Sequence, residues 1–304
     1  MSITRREFHK ASLGVATTLA VGANVIAGPQ DFIRKPIPST GEMIPIIGLG
    51  TNRYGVDTSE AARAPLRAAL KRFAELGGTV IDTAPGYRTS ETVLGDLIEG
   101  LGIRDDLYVA TKVDRQTRAD SAARIDDSFR KLKVDTVDLM QVHSLRGWKE
   151  TLPLLRELKA EGRVRYIGIT TSRSDQYGDF ENVMRAEELD FVQLNYSVEQ
   201  RAAADRLMPL AADTGTAVMI NRAFGGGRIF GAVGDQPVPD WAQEFDCSGW
   251  AQVLLKYALS HPAATVAIPG MTKIHHVDDN MMAGHGRLPD AAERKKIEGF
   301  YDAL

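Results

Sequence analysis

The chain has 304 residues, with 37 basic and 40 acidic side chains and a net charge of −3. That balance excludes the broad basic surface that a nucleic acid or an anionic membrane would require. A single cysteine, Cys247, excludes an internal disulfide and is expected as a buried small apolar residue rather than a nucleophile.

The first predicted element is a leader. "TRREFHK" at Thr4–Lys10 sets Arg5 and Arg6 side by side with Phe8 and Lys10 close behind, and Ala11–Ala27 then carries no charge. A charged start, an uncharged stretch and a small residue at its end make an export signal. The arginine pair makes it resemble a twin-arginine signal, an address read by a receptor of the export machinery. The stretch is shorter than the roughly 20 apolar residues of a spanning helix, so no permanent membrane anchor is expected. The expected organisation is a twin-arginine signal peptide over residues 1–27, cut after Ala27, and one domain over residues 28–304. Removing the leader takes away Arg5, Arg6, Lys10 and Glu7, which leaves 277 residues with 34 basic and 39 acidic side chains. That length suits a single α/β barrel of about 250 residues.

The domain then repeats a strand–helix unit. Short apolar runs end in small or polar residues at Ile44–Gly50, Thr79–Asp82, Leu107–Val113, Val137–His143, Val164–Thr170, Phe191–Ser197, Ala217–Ala223 and Thr265–Gly270. Amphipathic stretches lie between them. Arg118–Leu132 and Leu152–Glu161 carry apolar residues at three- and four-residue spacing. "ELGGTV" and "AEGRV" put Gly at a helix end just before the next strand. Strands that are almost continuously apolar belong to a parallel sheet buried on both faces. Eight of them, each followed by a helix, predict an α/β fold of the (β/α)8 (TIM) barrel type. One connection is long, Phe224–Cys247, and such loops are usually functional.

In such barrels the active site forms at the carboxyl ends of the strands. The second run ends at Asp82, with Tyr87 shortly after; the third carries Lys112; the fourth ends at His143. A lysine inside an apolar strand is costly unless paired, and a carboxylate on the neighbouring strand would pair it. An ammonium close to a phenol tunes that phenol as a proton donor. Singly these residues have plain readings: a strand-end Asp is often a helix cap, a lone His is more often a packed residue than a catalyst, and a buried Lys–Asp pair is often structural. Together, at the ends of three successive strands, they form a catalytic set. Tyr87 is the acid for a carbonyl oxygen, Lys112 tunes it, Asp82 holds Lys112, and His143 orients the substrate.

Asp82-Thr83-Ala84-Pro85-Gly86-Tyr87-Arg88-Thr89-Ser90-Glu91-Thr92-Val93-Leu94-Gly95 resembles the pattern D-T-A-x-x-Y-G-x-x-E-x-x-L-G of the aldo-keto reductase superfamily. Arg88 stands where that family usually has Gly. "ATK" at Ala110–Lys112 and "QVH" at Gln141–His143 are similar to its Lys and His segments, and the resemblance runs from about Ile44 to the last helix. Gly48-Leu49-Gly50 does not continue into a Rossmann glycine fingerprint; the resemblance implies instead a nicotinamide cofactor across the barrel mouth. Gly50 and Thr51 would lie beside the cofactor. Thr170, Thr171 and Gln193 would hold the carboxamide, with Thr171 in place of the family's usual Asn. Asn221, followed by Arg222, takes the place of a ring that stacks on nicotinamide in many relatives. Phe224, Gly225 and Gly227 belong to "FGGGR", whose backbone N–H groups can approach a pyrophosphate. Lys273 would meet the adenosine 2′-phosphate as a point charge, and Asp279 and Asn280 the adenine. The cofactor implied is NADP(H), with NAD(H) as the alternative.

The expected activity is hydride transfer between nicotinamide and an aldehyde or ketone, or the corresponding alcohol, by an exported, periplasmic enzyme. The alternatives are a cofactor-binding sensor or accessory protein with little turnover, and a metal-dependent barrel hydrolase. No metal is expected, because His275-His276 are adjacent and no other ligands cluster. Asn52, Tyr54, Arg88, Trp148 and residues 228–241 are the candidates for the substrate wall.

Overall fold

A computed structural model describes residues 32–304; the expected leader, and its cleavage site after Ala27, lie outside the described residues. The chain enters through an antiparallel hairpin, β1 (Arg34–Pro36) and β2 (Met43–Pro45). Eight parallel strands follow: β3 (Leu49–Gly50), β4 (Val80–Asp82), β5 (Tyr108–Val113), β6 (Val137–Val142), β7 (Val164–Thr170), β8 (Phe191–Asn195), β9 (Ala217–Asn221) and β10 (Ala264–Ala267). Each pairs with the next in sequence order, so the sheet curls steadily in one direction. Its two ends meet: the Gly48 N–H donates to the Ala267 carbonyl at 2.8 Å, and the Gly50 N–H to the Pro269 carbonyl at 2.9 Å. The architecture is α/β, with eight curled parallel strands consistent with a (β/α)8 fold.

The expected first strand, Ile44–Gly50, divides. Its start is used in the hairpin and only Leu49–Gly50 joins the curled sheet, because the backbone of Met43–Pro45 is committed to Arg34–Pro36. The hairpin stoppers the amino-terminal end of the sheet. Ile37 and Ile44 pack there against Tyr108, Tyr166 and Phe191 from β5, β7 and β8, and the Tyr166 hydroxyl bonds Glu42 at 2.6 Å.

The helices form the outer layer: α1 (Glu60–Glu75), α2 (Ser90–Leu101), α3 (Arg118–Leu132), α4 (Trp148–Ala160), α5 (Tyr177–Ala186), α6 (Leu207–Asp213), α7 (Arg228–Val233), α8 (Trp250–Leu259), α9 (Ile274–Met282) and α10 (Ala291–Asp302). Local chemistry sets their ends. Ser59 and Thr117 cap α1 and α3 by accepting from the backbone N–H three residues on. Asp290 and Glu293 form a reciprocal capping box on α10. The long connection Phe224–Cys247 is compacted by α7 and by 3-10 turns at Gly225–Gly227 and Asp240–Phe245. No described helix is long and apolar enough to cross a membrane.

Candidate active site

The carboxyl ends of β3 and β4 are pinned to each other and to the start of α2. The Thr51 N–H donates to the Asp82 carbonyl at 3.0 Å and its hydroxyl to the same oxygen at 2.9 Å. Ser90, the first residue of α2, reaches back to the Thr51 carbonyl at 3.0 Å. The turn Ala84–Tyr87 closes by a 3.0 Å bond from the Tyr87 N–H to the Ala84 carbonyl. Arg88 follows with φ 58°, the left-handed conformation that a glycine adopts freely; a residue with a side chain holds it at a cost of about 1–2 kcal/mol.

Within this frame the four expected catalytic side chains converge. Lys112 is fully buried on β5, and its Nζ donates to Asp82 Oδ2 at 2.6 Å and to the Thr83 carbonyl at 2.8 Å. The same Nζ lies 5.2 Å from the centre of the Tyr87 ring. Burial works to strip the proton from Lys112, but the carboxylate of Asp82 and the phenol of Tyr87 overcome it and hold the ammonium above its ordinary pKa. The second oxygen of Asp82 accepts from Gln193 Nε2 at 2.9 Å and from Gln141 Nε2 at 3.4 Å. Three strands, β5, β6 and β8, therefore hold one carboxylate. His143 follows β6 and meets the Tyr87 ring edge-on at 6.1 Å. Burial, helped by Lys112 and Arg146 and opposed by Asp114, pushes its pKa down to about 4. The imidazole is neutral at pH 7 and keeps one N–H to donate.

Tyr87 and His143 open into a cavity of about 730 Å³, within the usual range of small-molecule sites. Gly50, Thr51, Thr170, Thr171, Gln193, Asn221, Arg222, Phe224, Gly227 and Lys273 line it together with Asp82. Several of these polar groups are already engaged. The Thr171 hydroxyl donates to Gln176 Oε1 at 2.7 Å, Asn221 Nδ2 donates to the Thr171 carbonyl at 3.0 Å, and the Gln193 amide is turned onto Asp82. Three of the residues expected to bind the cofactor do not line it. Gly225 is buried against Glu199, the partner of Arg228. Asn280 is buried within α9, and Asp279 accepts from Gln252 Nε2 at 2.7 Å.

The sequence pattern gave no site role to Arg53, Ser144 or Thr272, which line the cavity; each lies in the loop after a strand, which is the signal that could have found them. His276, weighed with His275 only as a metal ligand, lines the cavity from α9. Arg53, Arg222 and Lys273 make no ion pair with any described residue. Of the expected substrate wall, Asn52 lines the cavity, whereas Tyr54 is fully buried with its hydroxyl on the Met271 carbonyl, and Trp148 packs on the core. Cys247 is buried, and burial pushes its thiol up to about 12. Among the described residues no three His, Cys, Asp or Glu side chains gather as metal ligands.

The aldo/keto reductase family model matches residues 46–301. The chain is 26% identical to the L-galactose dehydrogenase of Arabidopsis thaliana, over 82% of this chain and 87% of that protein. It is 29% identical to the methylglyoxal reductase YeaE of Escherichia coli, over 89% of this chain and 96% of that one. Among solved structures, an aldo-keto reductase from Klebsiella pneumoniae in complex with NADPH superposes with a TM-score of 0.72 at 26% identity, over 88% of this chain and 95% of that chain. With its curled parallel sheet and this match across the domain, the chain belongs to the aldo/keto reductase family.

Proposed function

We propose that the protein is an NADP(H)-dependent oxidoreductase that moves a hydride between nicotinamide and the carbon of an aldehyde or ketone, or of the corresponding alcohol. The observation that carries this reading is the buried Lys112–Asp82 pair beneath Tyr87, with a neutral His143 opposite. Tyr87 gives its proton to the carbonyl oxygen in reduction and takes it back in oxidation. Lys112 stabilises the charge left on the phenol oxygen as the proton moves. Asp82, held by Gln193 and Gln141, keeps Lys112 charged and in place. His143 donates its N–H to the same substrate oxygen and fixes its orientation. The relatives named L-galactose dehydrogenase and methylglyoxal reductase support this class of chemistry.

The cavity fits the cofactor on its own terms. Arg53, Arg222 and Lys273 are cations without a carboxylate partner among the described residues, which suits a ligand carrying several phosphate charges. Gly226 and Gly227 leave open space where a side chain would stand, so a pyrophosphate can approach their backbone. Lys273 caps the amino end of α9, a position that favours anions, and would meet the 2′-phosphate. Thr170, Thr171 and Gln193 would hold the carboxamide end, and Asn221 would lie against the nicotinamide ring. Bound there, the cofactor supplies or accepts the hydride. The test is Tyr87→Phe: cofactor binding should persist while the chemical step falls by about 10² or more. Near-normal turnover would sink the assigned roles.

We further propose export by the twin-arginine route, on the strength of Arg5, Arg6, Phe8 and Lys10 followed by an uncharged stretch. That route carries folded proteins, so the domain would bind its cofactor before leaving the cytoplasm. Replacing Arg5 and Arg6 with Lys should leave active protein in the cytoplasm; unchanged export would remove the reading.

A further inference from the structure

Among the described residues, no group hydrogen-bonds the ring of His143. The imidazole meets the edge of the Tyr87 ring and feels the charges of Lys112, Asp114 and Arg146. A histidine that must present one ring nitrogen to a ligand is commonly aimed by a bond to its other nitrogen. His143 has no such bond, so its aim has to come from the backbone that carries it.

That backbone is strained. Ser144 and Leu145 follow His143 with φ 54° and 58°, two successive left-handed residues of which neither is glycine. Each costs free energy that glycine avoids, and a side chain as bulky as leucine is rarely found there. Such a conformation persists only where its surroundings over-determine it. Leu145 packs on the core. The Arg146 N–H closes the turn onto the His143 carbonyl at 3.1 Å. A side chain on Gly147 would run into the Arg115 carbonyl, so the far end of the turn is wedged against the loop after β5. Ser144 is gripped from the other side. Its N–H donates to Thr170 Oγ1 at 3.2 Å, and its carbonyl accepts from Gln176 Nε2 at 3.4 Å.

Gln176 is itself held for this task. It is half-buried and lies behind the cavity wall. The Arg173 N–H donates to Thr171 Oγ1 at 3.1 Å, and the Thr171 hydroxyl donates onward to Gln176 Oε1 at 2.7 Å. With its oxygen so engaged, the amide turns its NH2 to Ser144, whose carbonyl can only accept. The next residue, Tyr177, donates its hydroxyl to the Asn195 carbonyl at 3.0 Å and ties the start of α5 to the end of β8. We infer that Gln176 is a positioning residue: with Thr170 it holds the left-handed pair Ser144–Leu145, and that pair aims the imidazole of His143 at the substrate oxygen. This rests on the oxidoreductase reading above, in which His143 donates to that oxygen. Gln176 touches neither substrate nor cofactor and acts only through the turn.

The test is Gln176→Met, which keeps the bulk of the side chain and removes both bonds. In the full chain loaded with NADPH, kcat/KM for methylglyoxal or 4-nitrobenzaldehyde should fall about tenfold or more, because a small misplacement set far from the chemistry spoils the reacting geometry. In the His143→Asn background the same substitution should change kcat/KM by less than about threefold, since its effect passes through a ring already removed. A residue that only braces the fold would cost the same in both backgrounds. A second readout needs no turnover. In histidine-labelled protein the His143 ring signal, identified by its loss in His143→Asn, should titrate near pH 4 in the parent. In Gln176→Met it should titrate about 1 pH unit higher, because a ring no longer aimed leaves the buried position that keeps it neutral; Lys112, Asp114 and Arg146 are the same in both proteins. Where Gln176→Met folds poorly, Ser144→Gly frees the same turn, because glycine leaves the left-handed region as readily as it enters it, and should raise the titration likewise. Unchanged titration with unchanged kcat/KM, or an equal loss with and without His143, would overturn the role of Gln176. Failure of the parent to reduce either carbonyl would count against the oxidoreductase reading and leave the titration to decide whether Gln176 aims the ring.

Discussion

A lysine without solvent exposure keeps its charge only when its hydrogens find acceptors, and among the described residues two such lysines have opposite outcomes. Lys256 on α8 donates to three carbonyls, those of Phe245, His285 and Arg287, at 2.5, 2.6 and 3.1 Å. No carboxylate among the described residues pairs with it, and burial lowers its pKa. It ties the segment after β9 to the loop before α10. Lys112 instead has a carboxylate at 2.6 Å and a phenol beside it, and its pKa is raised. The first arrangement is a structural tie, and the second keeps a positive charge beside Tyr87, where the proposed reaction moves a proton. Lys112→Met should therefore do two separable things. It should abolish the chemical step, and it should destabilise the fold by about 3–5 kcal/mol by leaving Asp82 charged, buried and paired only with amides. Adding Asp82→Asn should recover most of the stability and none of the activity. Urea unfolding of the single and double variants checks this, and a single variant as stable as the parent would show that Asp82 does not depend on Lys112.

At the scale of elements, the amino end of α9 and the glycine turn before α7 frame the proposed cofactor trough from two sides. Thr272, Lys273 and His276 line it at one end, Gly226 and Gly227 at the other. Lys273 is exposed and forms no ion pair with any described residue, so its charge is available to a 2′-phosphate. Lys273→Glu should weaken NADP binding by roughly tenfold, about 1.4 kcal/mol, and NAD binding much less. Equal losses, read by quenching of protein fluorescence, would show that Lys273 does not reach that phosphate. Most of this framework was legible in the sequence because the strands are buried on both faces and read as unbroken apolar runs. Val164–Thr170 and Arg118–Leu132 begin and end where the pattern places them. Lys112 stood out because a charge in such a run demands a partner. What could not be read was long-range. Nothing in "RKP" at Arg34–Pro36 announces a strand, since its only pairing is with Met43–Pro45 beneath the sheet. The bond of Asp279 to Gln252, and the turn of Gln193 and Gln141 onto Asp82, join residues 27 to 111 positions apart. No local periodicity encodes them.

For the whole molecule, two histidines held neutral set how it meets acid. His143 in the site and His261 after α8 both have pKa values pushed down to about 4, in each case chiefly by burial. At His261 the charges of Arg294 and Lys35 add to burial, and Nδ1 is committed as the acceptor of the Ala263 N–H at 3.2 Å. Protonating it in the folded chain would break that bond. The sign follows from where the protons go. Below the ordinary value of 6.5 the unfolded chain takes up protons that the folded chain refuses until about pH 4, so stability falls as pH falls through that window. A fully excluded histidine contributes up to about 1.4 kcal/mol per pH unit, and the half-buried His261 less, because solvent screens it. Carboxylates held down, such as Glu293, bonded to Arg287 and lowered to about 2, add their own loss toward and below their ordinary range, whereas burial raises Glu91, which takes its proton first in the folded chain and opposes the histidines. A variant that removes one histidine and no carboxylate isolates its share between pH 6.5 and 5. His261→Asn keeps an acceptor near the Ala263 N–H and cannot titrate. Urea midpoints of this variant should decline less steeply than those of the parent between pH 6.5 and 5, and the two curves should run parallel below about pH 4. Identical slopes in the upper interval would mean that His261 gains its proton as readily in the folded chain as in the unfolded one.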